Sequence, residues 1–172
     1  LVKVGIVAAF ATLAFVGTTI IRIPIPATGG YFNLGDTFVM IAALLYGPLI
    51  GGLVGLSGPA AADAIGFPQF ILATAIVKGL EGAAVGAIGG QTQSTSAGRV
   101  IVALVVGIII LVAGYFVFEA YIYPMLAQTI PFFGVTDAKA ALAEIIPNLL
   151  QGGISAVIAF GIWRVFRRKA GA

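Results

Sequence analysis

Lys78 and Glu81 stand three residues apart in an apolar run. On a helix they share a face, where they could neutralise each other or offer a cation and a carboxylate to a ligand. Asp63 falls near the C-terminal end of the preceding apolar segment, where the helix dipole disfavours negative charge. It needs a cationic or hydrogen-bonding partner, and Lys78 is within reach. Tyr115 and Glu119 belong to a third run, Asn148 and Gln151 to a fourth. Counted from the run ends, Lys78 lies eight residues beyond Phe70, Tyr115 nine before Pro124 and Asn148 eleven beyond Asp137. At about 1.5 Å per residue these three share one layer, about 12 to 17 Å deep. Glu119 sits above the layer, Glu81 and Gln151 below it. Carboxylates, amides, a phenol and an ammonium converging at one depth can line a small pocket and read ring nitrogens and hydroxyl groups. Taken singly, Asn148 and Gln151 could merely bridge helices and Glu119 could snorkel outward. Taken together they favour a pocket.

The elements that must position these groups follow from composition. The chain has 172 residues, 60 % hydrophobic and 9 % charged, with a mean hydropathy of +1.15. A water-soluble domain has about a quarter of its residues charged, so lipid is the solvent here. The 24 Gly and 8 Pro lie within apolar runs, where membrane helices tolerate them, and do not indicate disorder. The absence of Cys and His removes disulfides, thiolate chemistry and the commonest metal ligand. No metal or cofactor is expected. There is no G-x-x-x-x-G-K-[ST], H-E-x-x-H or G-x-S-x-G pattern, so the chain is not expected to be an enzyme.

Four runs are long enough to cross a bilayer: Val4 to Ile21, Phe70 to Gly90, Val100 to Tyr123 and Ala140 to Phe166. The first exceeds the apolar core of a signal peptide and no clear cleavage site follows it, so it reads as a span. Asp36 to Gly66 is apolar but broken by Gly47-Pro48 and Gly58-Pro59. Pro48 suits the first turn of a new helix, which gives two short helices and six spans; the alternative is one span plus a re-entrant piece, giving five. We adopt six: residues 1–172 form a single all-α membrane domain, a six-helix bundle. Asp36 is expected to N-cap the second helix and Thr136 or Asp137 the last, and Pro147 to kink the last helix. Ile23 to Gly35, Gly66 to Gln69 and Pro124 to Thr136 are read as external connections, and Gln91 to Arg99 as a cytoplasmic loop. The cluster Arg164, Arg167, Arg168 and Lys169 places both termini in the cytoplasm. Gly pairs at four-residue spacing (47/51, 51/55, 82/86, 86/90) are expected to pack helices inside the bundle.

The segments Gly29-Gly-Tyr-Phe-Asn-Leu-Gly-Asp-Thr-Phe38, Leu45-Tyr-Gly-Pro-Leu-Ile-Gly-Gly52, Ala62-Asp63 and Lys78-Gly-Leu-Glu-Gly82 resemble the substrate-binding S components of energy-coupling factor (ECF) vitamin transporters. The resemblance is to the riboflavin-transporter-like branch, which includes proteins for hydroxymethylpyrimidine and vitamin B6 compounds. It is carried by motifs in the first half of the chain and by hydropathy in the second. It implies six helices, a vitamin bound near the outer surface among the last three, and a first external loop above it. Tyr31 and Asn33 would then close over the ligand, their loop eased by Gly29 and Gly30. The expected contacts are Tyr31, Asn33, Lys78, Glu81, Tyr115, Glu119, Asn148 and Gln151. The resemblance further implies docking of the first helix, through an A-x-x-x-A pair, onto a transmembrane coupling subunit served by two ATPase subunits. Ala8 and Thr12 align with that pair, Thr12 keeping a small side chain. With 12 Phe and 5 Tyr but a single Trp, Trp163, placed near the cytoplasmic end, a small pyrimidine or pyridine ring is favoured over riboflavin. A riboflavin-binding S component and a stand-alone membrane carrier are the alternatives.

Overall fold

Hydropathy sets the outline of the fold, and the exceptions to it position the site. In the computed structural model, residues 1–26, 28–90, 95–134 and 136–170 are described. The helices are α1 (Val2–Ile20), α2 (Gly35–Tyr46), α3 (Pro48–Asp63), α4 (Ile71–Gly89), α5 (Ala97–Val117), α6 (Tyr123–Ala127) and α7 (Ala138–Ala170). A π-helical turn, Phe118–Ile122, joins α5 to α6, so Ala97–Ala127 is one continuous rod and the bundle has six spans. Four helical segments are long and apolar enough to cross a bilayer unaided: Val2–Ile20, Pro68–Gly89, Ala97–Ala127 and Ala138–Arg167. These correspond to the four long apolar runs.

The two short helices resolve the ambiguous region in favour of six. Gly47 turns the chain between α2 and α3 with φ +86°, a left-handed conformation that a residue with a Cβ strongly disfavours. Pro48 opens α3, where its missing N–H leaves no bond unmade. Twelve residues make α2 only about 18 Å long, too short to face lipid across a bilayer. It does not face lipid. Its residues from Gly35 to Leu44 are buried except the half-buried Phe38, and α1, α3, α4 and α7 pack around it. A short helix is tolerated at membrane depth when protein rather than hydrocarbon surrounds it.

The Gly pairs close the α3–α4 contact. A Cβ on Gly55 would collide with the backbone carbonyl of Lys78, so this close approach holds the middle of α4 against α3. Beneath, an apolar cluster of Met40, Leu44, Val85, Leu104, Ala159 and Trp163 fills the bundle toward Gly47. A second cluster around Phe70, Val77, Leu111, Phe118 and Tyr123 packs α4 against the α5–α6 rod. Large apolar side chains such as Leu53, Ile76, Leu80, Ile109 and Val157 point outward.

Two expectations need correction. Asp36 does not cap α2: the cap position is Leu34, whose own side chain makes no capping bond, and Asp36 is wholly buried, held by groups that only folding brings to it. Pro124 does not end the fifth span; it sits at the start of α6, where the preceding π turn makes its missing N–H harmless. The first connection contains a short ribbon. Ile23–Ile25 (β1) and Gly30–Phe32 (β2) pair antiparallel, with Pro24 opposite Tyr31. Of the two candidates for the last cap, Asp137 accepts from the Ala140 N–H at 2.7 Å, while Thr136 donates to the Glu119 carbonyl at 2.9 Å. Pro147 lies inside α7. Residues 91–94 of the polar loop are outside the described residues.

Candidate ligand-binding site

Under the β1–β2 ribbon lies a cavity of about 30 Å³, enough for a water molecule or two. Its wall draws on every membrane span but α2 and combines Thr18, Gly30, Tyr31, Asn33, Pro59, Asp63, Phe70, Thr74, Lys78, Tyr115, Glu119, Glu144, Asn148 and Gln151. In a chain so poor in polar residues, this concentration in one place is the main chemical feature of the molecule.

One side of the wall is a chain of charge and amide contacts. Lys78 forms a buried ion pair with Asp36, and its ammonium also lies 5.5 Å from the centre of the Tyr115 ring. The other Asp36 oxygen accepts from Gln151 Nε2 at 2.7 Å. Gln151 Oε1 in turn accepts from the Asn33 backbone N–H at 2.8 Å and from Asn33 Nδ2 at 3.2 Å. Asn33 Oδ1 accepts from the Gly35 N–H at 2.9 Å. This network ties α7 and α4 to the start of α2 and roots the ribbon. The buried ions are paired and hydrogen-bonded, the condition under which charge survives away from water.

The roof is fastened by the ribbon. Tyr31 donates its phenol to Asp63, packs at a tilt against Phe67 with ring centres 4.4 Å apart, and lies under the Arg22 guanidinium at 5.1 Å. Arg22 donates to the carbonyls of Ala62 at 2.7 Å and Ile65 at 3.0 Å, satisfying the open end of α3. Burial, and after it the Asp63 carboxylate, push the Tyr31 phenol above its usual range, so it stays a donor. Thr28 donates to Glu144 and accepts from the Gly30 N–H at 3.1 Å.

The third side carries two carboxyl groups, Glu119 on the π turn and Glu144 on α7, both lining the cavity. A π turn inserts one extra residue per turn and so rotates the residues beyond it, and such turns recur at functional sites. Here it turns Glu119 inward to 1 % exposure, so this carboxylate does not snorkel. Thr74 and Tyr115 share a hydrogen bond of 2.8 Å beside it.

Seven of the eight residues expected to touch a ligand line this cavity: Tyr31, Asn33, Lys78, Tyr115, Glu119, Asn148 and Gln151. Glu81 does not line it. It is fully buried one turn deeper on α4, facing α5 at Gly107, with both carboxyl oxygens lacking a hydrogen-bond partner. Lys78 pairs with Asp36 rather than with Glu81 or Asp63 because the tertiary fold brings the start of α2 against the middle of α4. Glu144, Thr74, Thr28 and Thr18 were missed as site residues. Glu144 was legible: it stands four residues before Asn148, on the same helix face, as Thr74 does before Lys78. Ala8 and Thr12 lie far from the cavity, exposed on α1, with the Thr12 hydroxyl bonded to the Ala8 carbonyl at 2.9 Å.

Comparison with known proteins agrees with this fold. A family model described as ECF-type riboflavin transporter, S component, matches residues 1–168. A Pyrococcus woesei protein named "Uncharacterized protein in gap 3'region" is 37 % identical over 156 residues, spanning 91 % of this chain and 95 % of that one. The structure solved for the S component of a bacterial ECF transporter superposes with a TM-score of 0.65, covering 99 % of this chain and 98 % of that one. At 17 % identity that likeness speaks for the fold.

Proposed function

Because the chain belongs to the family of ECF-type riboflavin transporter S components, we propose that it captures a small water-soluble vitamin or precursor, of the hydroxymethylpyrimidine or pyridoxine kind, and delivers it through an energising module. The observation that carries this reading is a polar cavity roofed by a ribbon and floored by apolar packing. Among the described residues the Met40, Leu44, Val85, Leu104 and Trp163 cluster packs beneath the cavity, which supports holding a solute over conducting it. Transport then needs a partner: a transmembrane coupling subunit with two ATPase subunits, docked on the exposed Ala8 and Thr12 face of α1.

The alternation of the helices supports an orientation with both termini inside. Lys3, Arg99, Arg164, Arg167, Arg168 and Lys169 belong to the end opposite the ribbon, whereas Arg22 and Lys139 belong to the ribbon end. The more basic end is retained on the inner side, which puts both termini in the cytoplasm and the cavity on the outer face of the cell membrane. Reporter tags before Val2 and after Ala172 should both localise inside, and opposite localisation would overturn the orientation.

The family model's own description favours a second reading, riboflavin as the ligand. Against it stands the makeup of the wall, which offers few aromatic faces and many hydrogen-bonding groups. Purified protein should be incubated with a vitamin panel and the retained compound identified by mass spectrometry. Retention of a pyrimidine or pyridine ring supports capture of a small ring, retention of riboflavin the second reading, and retention of nothing would sink both.

A further inference from the structure

One carboxyl group stands outside the cavity wall and has no part in the site described above. Glu81, one turn below Lys78 on α4, is fully buried, and neither of its carboxyl oxygens has a hydrogen-bond partner. Asp36, Asp63 and Glu144 differ from it, because each accepts from an ammonium, an amide or a hydroxyl. An ionisable side chain at membrane depth is costly and calls for a partner or a function.

The neighbours of Glu81 define what it can hold. From α2 comes Asp36 and from α4 comes Lys78, and both act on it electrostatically. From α5, Gly107 packs against it: a Cβ built there would lie 3.6 Å from the Glu81 Cγ and 3.6 Å from the Met40 Cε. From α7, Gln151 is engaged with Asp36 and Asn33, and Ser155, one turn deeper, is buried with its hydroxyl unpartnered; neither is charged. Lys78 is thus the one cation of this group, and Asp36 holds it. With both carboxyl groups ionised, the set would carry an excess negative charge away from water, on a residue with no donor. A hard metal cation takes about six oxygen ligands, whereas Glu81 meets a glycine and a methyl group. Among the described residues no three acidic side chains are grouped to hold one. A proton needs a single oxygen.

We propose that Glu81 is a proton-binding site. It holds one proton as a neutral acid while Lys78 serves Asp36, and it releases that proton to become the counter-ion of Lys78 when Asp36 is neutral. The exchange conserves charge: the proton passes from a Glu81 oxygen to an Asp36 oxygen as the ammonium moves the other way. Lys78 and Glu81 are three residues apart on one helix and share a face, so the ammonium reaches either station by a change of rotamer. Lys78 lines the cavity and Glu81 does not, so the proton site is separate from the solute site and linked to it through one side chain. This holds whichever solute the cavity takes.

Infrared difference spectroscopy on the purified, ligand-free protein in detergent tests it. The spectrum of the unaltered protein minus that of Glu81→Gln at neutral pH should show the carbonyl stretch of a protonated carboxyl group, shifted down in heavy water, and no carboxylate bands. The same subtraction in an Asp36→Asn background should show the reverse, carboxylate bands with the protonated band gone, because Lys78 then turns to Glu81. Carboxylate bands in the first difference overturn the proton site, and a protonated band that survives Asp36→Asn overturns its linkage to Lys78. The first difference needs only Glu81→Gln, so it still decides if the Asp36→Asn variants do not fold. Glu81→Gln replaces a neutral acid by a neutral amide of the same shape and should keep or raise the melting temperature; its failure to fold overturns the proposal as well.

Discussion

Two side chains in the wall call for opposite expectations although both are polar and buried. Lys78 neutralises Asp36 where neither reaches water, so Lys78→Ala should lower stability by about 3 to 5 kcal/mol by stranding a carboxylate. The double variant Lys78→Met with Asp36→Asn should recover most of that loss, because no unpaired charge then remains; thermal unfolding in detergent measures both. Asn148 instead makes a single long contact, 3.4 Å to Glu144. Asn148→Ala should therefore spare the melting temperature and weaken ligand binding by about 1 to 3 kcal/mol, as expected for losing a contact to a desolvated ring. Unchanged affinity by calorimetry for both Lys78→Ala and Asn148→Ala would return both residues to structural roles.

The ribbon and the π turn are the elements that make a site out of a bundle. A cavity of about 30 Å³ is far below the roughly 300 to 1,000 Å³ of pockets for small molecules, so a vitamin cannot enter while the ribbon lies as it does. Asn33 is rooted to Gln151, whereas Tyr31 holds the roof through one hydrogen bond to Asp63 and its contacts with Phe67 and Arg22. Opening at Tyr31 requires breaking that fastening. Tyr31→Phe should raise ligand association and dissociation rates together, with a smaller change in affinity, which stopped-flow fluorescence of Trp163 or of the ligand can follow. Slower exchange in this variant would mean the ribbon is not the entry gate. The π turn acts differently: it aims Glu119 and is fixed from outside by the Thr136 hydroxyl on the Glu119 carbonyl.

At the scale of the whole molecule the cavity and the proposed docking face are separate. The cavity lies under the ribbon, while Ala8 and Thr12 lie on the outward face of α1, of which only Ala14 and Thr18 are buried. Bulk added at positions 8 or 12 reaches no wall residue but prevents close approach of another helix. Ala8→Leu and Thr12→Leu should therefore abolish vitamin uptake by cells carrying the energising module while calorimetry on the purified variants shows unchanged binding. Loss of binding in either variant would mean that this face packs inside the fold.

Local rules settled a good part of this protein. Composition alone placed the chain in lipid, run length located the four long spans, and Gly47-Pro48 marked the turn between the two short ones, because lipid solvation and left-handed backbone act on residues where they stand. Depth counting brought Lys78, Tyr115 and Asn148 to one level, with Glu119 above it and Glu81 and Gln151 below, since helix rise is constant. Pairing was not legible in this way. Asp36 reads from its neighbours as a cap and becomes the counterion of Lys78 only because α2 is enclosed by α4 and α7, 42 and 115 residues away in sequence. Glu81 has the same spacing logic as Lys78 but faces α5, because which side of α4 looks into the cavity is decided by the Gly55 contact with α3. Depth along a helix is a property of the chain, whereas rotation about the helix axis is set by packing against neighbours, and that rotation decided which charges meet.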